Sequence, residues 1–379
     1  MSGFRAALAD GEHWGLAAKS CLQRMGPLPA DANLGFVYVT EGFSDALTSI
    51  IVFLKETTSV GQWVGGVGYG LFGPDGETRE GDSPDKGAIA IMAGAVDGEA
   101  IRPFSGFDPT NAAGFLAEHG PWLDRQTAVT ALVHGNPHAP QVAEAVAGLA
   151  AAGKAFLVGG LTAGSETPGE TTVGNEGEAP LSGLLMGDGV ALATGLTQGC
   201  TPIGGDHRIT EAIDNIVMQL DGIPALSTLK AEAGDIIARD LQRAAGYIHV
   251  AQPVLGSDQS DYLVRGLLAI DPSHGWLAID DELAVGDRLL FVRRDPGGAQ
   301  KDLRRMLGGL ARRLEGREIR GGVYISCVSR SPHLFGEAGI ESEMIHEVLG
   351  NFPLVGFSAN GEICHDRLYN FTGVLALFI

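Results

Sequence analysis

The segment Ser326-Cys327-Val328-Ser329-Arg330 places a thiol three residues ahead of a guanidinium, at the end of an apolar run. A thiol beside a fixed positive charge can have a lowered pKa and become reactive or ligand-contacting, whereas a buried small hydrophobe is the commonest fate of a single cysteine. Arg330 is the natural bidentate donor for a carboxylate or phosphate, and its structural alternative is an internal ion pair with Glu337 or Glu362. Glu362 directly follows Gly361 and can accept a ligand ammonium, so Arg330 with Glu362 would clamp an amino acid at both ends.

Three glycine segments of the form Val-Gly-x-x-x-x-Gly supply a second kind of candidate: Gly65 to Gly70, Gly159 to Gly164 and Gly356 to Gly361. Read as turns at strand ends, they would expose backbone N–H groups to an anionic or polar ligand. The ligand-binding candidates are therefore Gly65, Gly66 and Tyr69; Gly159, Gly160 and Thr162; Gly356, Phe357 and Asn360; and Cys327, Arg330 and Glu362. Tight turns that need glycine for backbone reasons are the competing explanation.

The elements around these residues repeat. LGFVYVT, then FSDALTSIIVFLKE, then WVGGVGYGLFG, then GAIAIMAGAV read as strand, helix, strand, strand. The same order recurs over 127–193 and again from GGVYISCV to FTGVLALFI. Between the second and third copies, residues 195–226 read as a crossover holding a helix with Ile209, Ile213, Ile216 and Leu220 inward, and 261–314 as strands followed by a helix. On that last helix Leu303, Met306, Leu307, Leu310 and Leu314 share one face, and its arginines form a solvated one. Residues 11–25 read as an opening helix, and the Gly, Pro, Thr and Glu content of 165–180 predicts a mobile surface loop. The fold class is α/β (α+β), with layered mixed β-sheets packed against helices. Its expected domains are an N-terminal helix and link over 1–33 and two halves over 34–228 and 229–379.

Composition bounds the partners. The 379 residues carry a formal charge of −20, which repels nucleic acid and anionic membrane surfaces. Four widely spaced cysteines without a C-x-x-C pair give neither a disulfide framework nor a thiolate zinc site and fit a reducing cytoplasm. No apolar leader or membrane-length segment is evident, so membrane insertion is not expected. The 56 glycines are roughly twice the usual share of about 7%, without the period of collagen. No G-x-S-x-G elbow, P-loop lysine motif, H-E-x-x-H or dinucleotide fingerprint is present.

Segments 35–73, 156–164, 195–226 and 320–379 resemble the FIST N-terminal and C-terminal domains, and together they span nearly the whole chain after residue 30. The 326–330 segment, the Leu334-Phe335-Gly336 step and Gly361-Glu362 are the most specific parts of the likeness. The resemblance implies a cytoplasmic sensory module for a small ligand such as an amino acid or other small anion. With both FIST halves using up the chain, it would signal through a separate kinase or cyclase partner and could form a homo-oligomer. Some members bind haem and respond to nitric oxide, and non-covalent haem held by His134 or His207 is therefore a second expectation. A Cys-dependent enzyme using Cys327 or Ser326 with His134 or His333, and a protein-binding scaffold, stay open as alternatives. No catalytic residue and no non-haem metal site is assigned.

Overall fold

A computed structural model of the chain describes residues 3–79, 86–139, 141–163, 172, 179–238, 247–254, 262–330, 332 and 334–379, with the backbone alone over 235–238. The loop expected over 165–180 falls outside the described residues except for Thr172 and residues 179–180, and so does His333. The chain forms two compact units, one of Met1–Thr197 with Leu303–Ile379 and one of Gln198–Asp302.

The first unit is built from one pattern used three times. In the first repeat β1 (Arg5–Gly11) leads to α1 (Trp14–Met25), β2 (Leu34–Thr40), α2 (Leu47–Thr58), β3 (Gln62–Gly68), the hairpin β4 (Gly70–Gly73) and β5 (Gly76–Arg79), and β6 (Gly87–Gly94). Branched and aromatic residues make β2 a strand, and every one of its residues is buried because both sheet faces are covered. Leu47, Ile50 and Leu54 give α2 its inward face. The second repeat runs β7 (Ile101–Phe107), α3 (Ala112–Leu123), β8 (Val129–Gly135), α4 (Val142–Gly153), β9 (Ala155–Leu161) and β10 (Leu181–Met186), and β11 (Leu192–Gln198) follows.

The second unit inserts here, with β12 (Cys200–Ile213), β13 (Ile216–Leu220), β14 (Ile223–Pro224), α5 (Ala225–Ala238), β15 (Ile248–Pro253), β16 (Tyr262–Arg265), β17 (Leu267–Asp271), β18 (Trp276–Ile279) and β19 (Arg288–Arg294). Its strands lie in the order β16-β15-β19-β12-β13-β18-β17, and Leu226 and Leu229 of α5 pack on Ile209, Val217, Ile248 and Phe291. The helix expected within 195–226 is instead the antiparallel hairpin β12–β13. Asp214, with φ 51°, turns the chain there, and Ile213 stands 60% exposed while Ile209 and Val217 are buried. Asp-Asn followed by β-branched residues is turn-and-strand chemistry, and the helical spacing of the isoleucines was coincidental.

The chain returns through α6 (Pro296–Leu314), where Leu303, Met306, Leu307, Leu310 and Leu314 are all buried as their spacing predicts. The third repeat is β20 (Gly321–Cys327), α7 (Ile340–Leu349), β21 (Leu354–Ala359), the hairpin β22 (Glu362–His365) and β23 (Arg367–Tyr369), and β24 (Thr372–Phe378). The opening strand β1 has no counterpart in the sequence reading, which took that end for helix and link.

In each repeat the central strand (β2, β8, β20) pairs parallel with the strand after the next helix (β3, β9, β21) and antiparallel with the last (β6, β10, β24). The repeats interlock cyclically. Hairpin β4–β5 of the first joins β21 of the third, hairpin β22–β23 of the third joins β9 of the second, and Thr172 of the second bridges Gly66 of the first. Backbone hydrogen bonds follow the same cycle: Tyr69 N–H to Ser358 O (3.1 Å), Asn360 N–H to Leu161 O (3.4 Å) and Ala163 N–H to Val67 O (2.8 Å). Each donor lies four residues past the first glycine of its motif and each acceptor two residues past that of the next, so the three links are equivalent.

That cycle explains the glycines, and it corrects their reading as turns at strand ends. Gly65, Gly159 and Gly356 lie inside strands opposite Val37, Val133 and Tyr324. A Cβ there would stand 1.7, 2.0 and 1.6 Å from the carbonyl oxygens of those three partners, so only glycine fits. Where the repeats meet, Tyr38 donates to or accepts from His134 Nε2 at 3.1 Å, and both rings pack on Phe357 at 5.0 and 5.9 Å.

Candidate functional site

The third repeat holds a group of buried charges where the other two are apolar. Along β20 the period of two sends Tyr324 and Ser326 to the same face, beneath the start of α7. Glu341 occupies the first turn of that helix, where the positive end of the helix dipole favours a carboxylate. Its Oε1 accepts from Tyr324 Oη (2.6 Å) and from Arg330 Nε (2.9 Å), with Arg330 Nη2 2.8 Å away, and its Oε2 accepts from Ser326 Oγ (2.9 Å). Arg330 reaches further to Phe371 O (3.4 Å), and the Phe335 ring lies 5.2 Å from its guanidinium carbon. Arg330 and Glu341 are both 0% exposed.

Glu362 opens β22, opposite Gly160 on one side and Tyr369 on the other. It too is 0% exposed. Its Oε2 accepts from Thr372 N–H (3.1 Å) and Oγ1–H (2.8 Å), whereas its Oε1 has no hydrogen-bond partner among the described residues. Burial pushes this carboxyl up to about 8, against the Thr372 hydrogen bonds, the Arg330 charge and the Gly361 N–H, which pull it down. Phe371, between the carbonyl that meets Arg330 and the N–H that meets Glu362, has φ 62°, a left-handed conformation unusual for a bulky residue and a known companion of functional sites.

Cys327 lies beside this group, but it is not an activated thiol. Burial first and the Glu362 charge second push it up to about 12, outweighing Arg330, so it is a neutral, buried side chain. The nearby guanidinium does pull it down, but burial and the Glu362 charge outweigh that pull. Arg330 pairs with Glu341 rather than with Glu337 or Glu362.

The remaining candidates are dispersed. Gly65, Gly159 and Gly356 are engaged in the ladders, and Gly66 and Gly160 oppose Thr172 and Glu362. Tyr69 and Asn360 donate backbone hydrogen bonds in the cyclic links, and Asn360 itself is exposed. Thr162 turns inward to Gly135 O through both N–H and Oγ1–H. Phe357 is part of the central packing. The structure thus gathers Cys327, Arg330 and Glu362 with Gly160 at their edge, and adds Tyr324, Ser326, Glu341 and Thr372. The available signal for these additions was Tyr324 and Ser326 two apart on a strand, with an acid opening the next helix.

Neither histidine named for haem fits an axial ligand. His134 is 1% exposed, its Nε2 is taken by Tyr38, and burial holds it down at about 3, with its ring packed against those of Tyr38 and Phe357. His207 is held at both nitrogens, by Asp221 Oδ2 (2.7 Å) and Glu232 Oε1 (2.8 Å). Burial lowers its pKa and the two carboxylates together raise it by more, and with both ring nitrogens engaged neither is open to iron. Among the described residues no group of three or more His, Cys, Asp or Glu side chains is placed to hold a metal ion.

Counting six residues on from the paired positions Val37, Val133 and Tyr324 reaches Phe43, Ala139 and Arg330. Six on from Gly65 and Gly356 come Leu71 and Glu362, which occupy the same place in their hairpins. Phe43, Ala139 and Leu71 are buried apolar residues. The FIST N domain model matches residues 33–223 and the FIST C domain model residues 226–365. The chain belongs to the FIST family. FIST domains serve in general as sensory, ligand-binding domains of signalling proteins. Similar proteins include an uncharacterized protein of Mycobacterium bovis, 34% identical over 237 residues, covering 59% of this chain and 60% of the relative. An uncharacterized protein of Mycobacterium tuberculosis is 33% identical over 242 residues, covering 59% and 61%. The chain thus spans about three fifths of the length of these curated relatives. No described helix of this FIST protein is long and apolar enough to cross a membrane.

Proposed function

We propose that the chain is a small-ligand-binding sensory module of the cytoplasm that acts through a separate signalling partner, a kinase or a cyclase, and that its ligand sits against Glu362 beside the Arg330–Glu341 pair. One observation carries this reading: a fully buried charged group occupies one repeat at positions where the same chain uses Phe43, Ala139 and Leu71 in the others. The fold does not need charge there, and buried charge is costly.

The geometry narrows the ligand. An amino acid clamp needs Arg330 for the carboxylate, and Glu341 already occupies that guanidinium. The group still open to a ligand is the Glu362 carboxyl, which favours a ligand carrying an ammonium, an amino acid or a simple amine, over a small anion. Four free, buried cysteines support a reducing compartment. The neutral Cys327 thiol argues against a Cys-dependent enzyme.

Native mass spectrometry of the purified protein, followed by thermal-shift titration with free amino acids, amines and carboxylates, tests the proposal. Saturable binding with a raised thermal midpoint, no turnover, and loss of binding in Glu362→Ala is the expected result. Tight binding that survives Glu362→Ala refutes the placement, and turnover without a partner refutes the sensory reading.

A further inference from the structure

One arginine and two glutamates of the third repeat are entirely withdrawn from water: Arg330, Glu341 and Glu362. They hold one fixed positive charge against two carboxyls. Arg330 is committed to Glu341 through Nε and Nη2 at 2.9 and 2.8 Å, and Glu341 is further held by Tyr324 and Ser326. That pair is neutral, with Nη2 at ion-pair distance from Glu341 but without a hydrogen bond of its own. Glu362 is the acid left over.

The other groups around Glu362 cannot balance it. Cys327 on β20 is an acid, not a cation, and Tyr369 directly opposite on β23 carries no positive charge. On β9 the opposing residue is Gly160, with no side chain. Arg330, from the turn after β20, pulls the carboxyl down, but it is ion-paired with Glu341 and does not overcome the burial of Glu362. Thr372 fixes Oε2 with two hydrogen bonds, which orients the carboxyl and leaves Oε1 as the single atom available for a new bond. A buried carboxylate without a counter-charge is far more costly than its protonated form. Two cations can remove that cost: a proton on Oε1, or an ammonium group donating to it.

We propose that a proton and the ammonium group of the ligand compete for Glu362, so that ligand binding expels one proton. This deepens, and rests on, the ligand-site reading above. In the empty site Glu362 is a carboxylic acid. An arriving R–NH3+ donates an N–H to Oε1, the O–H bond breaks, and the proton passes to solvent. The product is a carboxylate–ammonium pair with the same net charge in the site as before. A sensor built this way responds to its ligand more strongly as the surrounding pH rises, and a bound ligand reports pH.

The test uses the full chain with methylammonium as probe, in about 0.15 M salt to screen the protein's other carboxylates. Binding is followed by calorimetry in phosphate and in MOPS, which carries no primary ammonium and whose ionisation enthalpy differs from that of phosphate, so that protons released are counted directly without any substitution. Close to one proton should be released per methylammonium at pH 6.5, and the apparent affinity should rise about tenfold per pH unit before levelling above about pH 8. Tetramethylammonium, which has no N–H to donate, should bind at least tenfold more weakly. Glu362→Gln, of the same shape, should lose methylammonium binding while unfolding cooperatively. Saturable methylammonium binding with no proton release, or binding retained in Glu362→Gln, overturns the inference and leaves the ligand-site reading standing. Failure of methylammonium, glycine and acetate alike to bind overturns both.

Discussion

Replacing Glu362 by Gln should make the protein more stable in alkali and leave it unchanged in mild acid. The folded protein holds the Glu362 proton up to about 8, against 4.5 for an ordinary glutamate, because burial disfavours the ionised form. The folded state therefore binds this proton more tightly than the unfolded chain does. The stability that depends on it is full below pH 4.5, falls as pH rises, and is lost once pH passes about 8. At about 1.4 kcal/mol for each pH unit of that interval, the ceiling is near 5 kcal/mol. A domain's total stability is about 5–15 kcal/mol, so the effect is large. Gln keeps the shape and an oxygen for Thr372 and does not ionise. Urea unfolding of wild type and Glu362→Gln at pH 5, 6, 7, 8 and 8.5 isolates this group, since the histidines titrate in both proteins and cancel in the difference. The variant should match wild type to within about 1 kcal/mol at pH 5 and exceed it by about 3–5 kcal/mol at pH 8.5. Parallel pH profiles would refute the reasoning that Glu362 is buried without a counter-charge.

Gly356→Ala drives a Cβ to 1.6 Å from Tyr324 O and should abolish soluble folding, whereas Gly336→Ala, with φ 87° and nothing within 4 Å, should cost only about 1 kcal/mol; soluble yield and thermal midpoint distinguish them. Arg330→Met strands the Glu341 carboxylate and should cost about 3–5 kcal/mol, most of it recovered only when Glu341→Leu, Tyr324→Phe and Ser326→Ala are added to remove the hydroxyls that Glu341 accepts from, as read by denaturant unfolding. His207 is the opposite of a buried neutral histidine. Its folded pKa is raised, so its clamp on Asp221 and Glu232 is fully present below about pH 6.5 and is lost as pH rises through the raised value. His207→Gln should therefore lower the stability of the second unit at pH 6 and matter little at pH 9, which amide hydrogen exchange over α5 will report.

The repeated order of strand, helix, strand, strand was legible because apolar strands such as LGFVYVT and GGVYISC are long, branched and bounded by glycine. The recurring Val-Gly was legible as a motif but not as a structural role. Its cause is the carbonyl of a partner strand many residues away, and local spacing carries no trace of that. The isoleucines of 209–220 fit a helix and a hairpin alike until Asp214 turns the chain. At the site, Arg330 and Glu362 stood out as charges in apolar surroundings. Glu341 did not, because an acid in the first turn of a helix is ordinary capping chemistry, and only burial reveals that it consumes Arg330.

The three-repeat scaffold also supplies an internal control that few folds offer. A buried ion pair is often explained as structural, and replacing one with well-packed apolar residues is often neutral or stabilising. Here the replacement already exists in the same molecule. Phe43 and Ala139 stand where Arg330 does, Leu71 stands where Glu362 does, and all three are buried in strands and links that superpose by hydrogen-bond register. The Arg330 place is filled twice and the Glu362 place once without charge, so the packing of a repeat is not what requires charge at those two places in the third. What the charges add is an unbalanced carboxyl with one free oxygen beside a strained turn at Phe371. Both features lower stability, and both lie at the point where a ligand's positive charge would restore the balance.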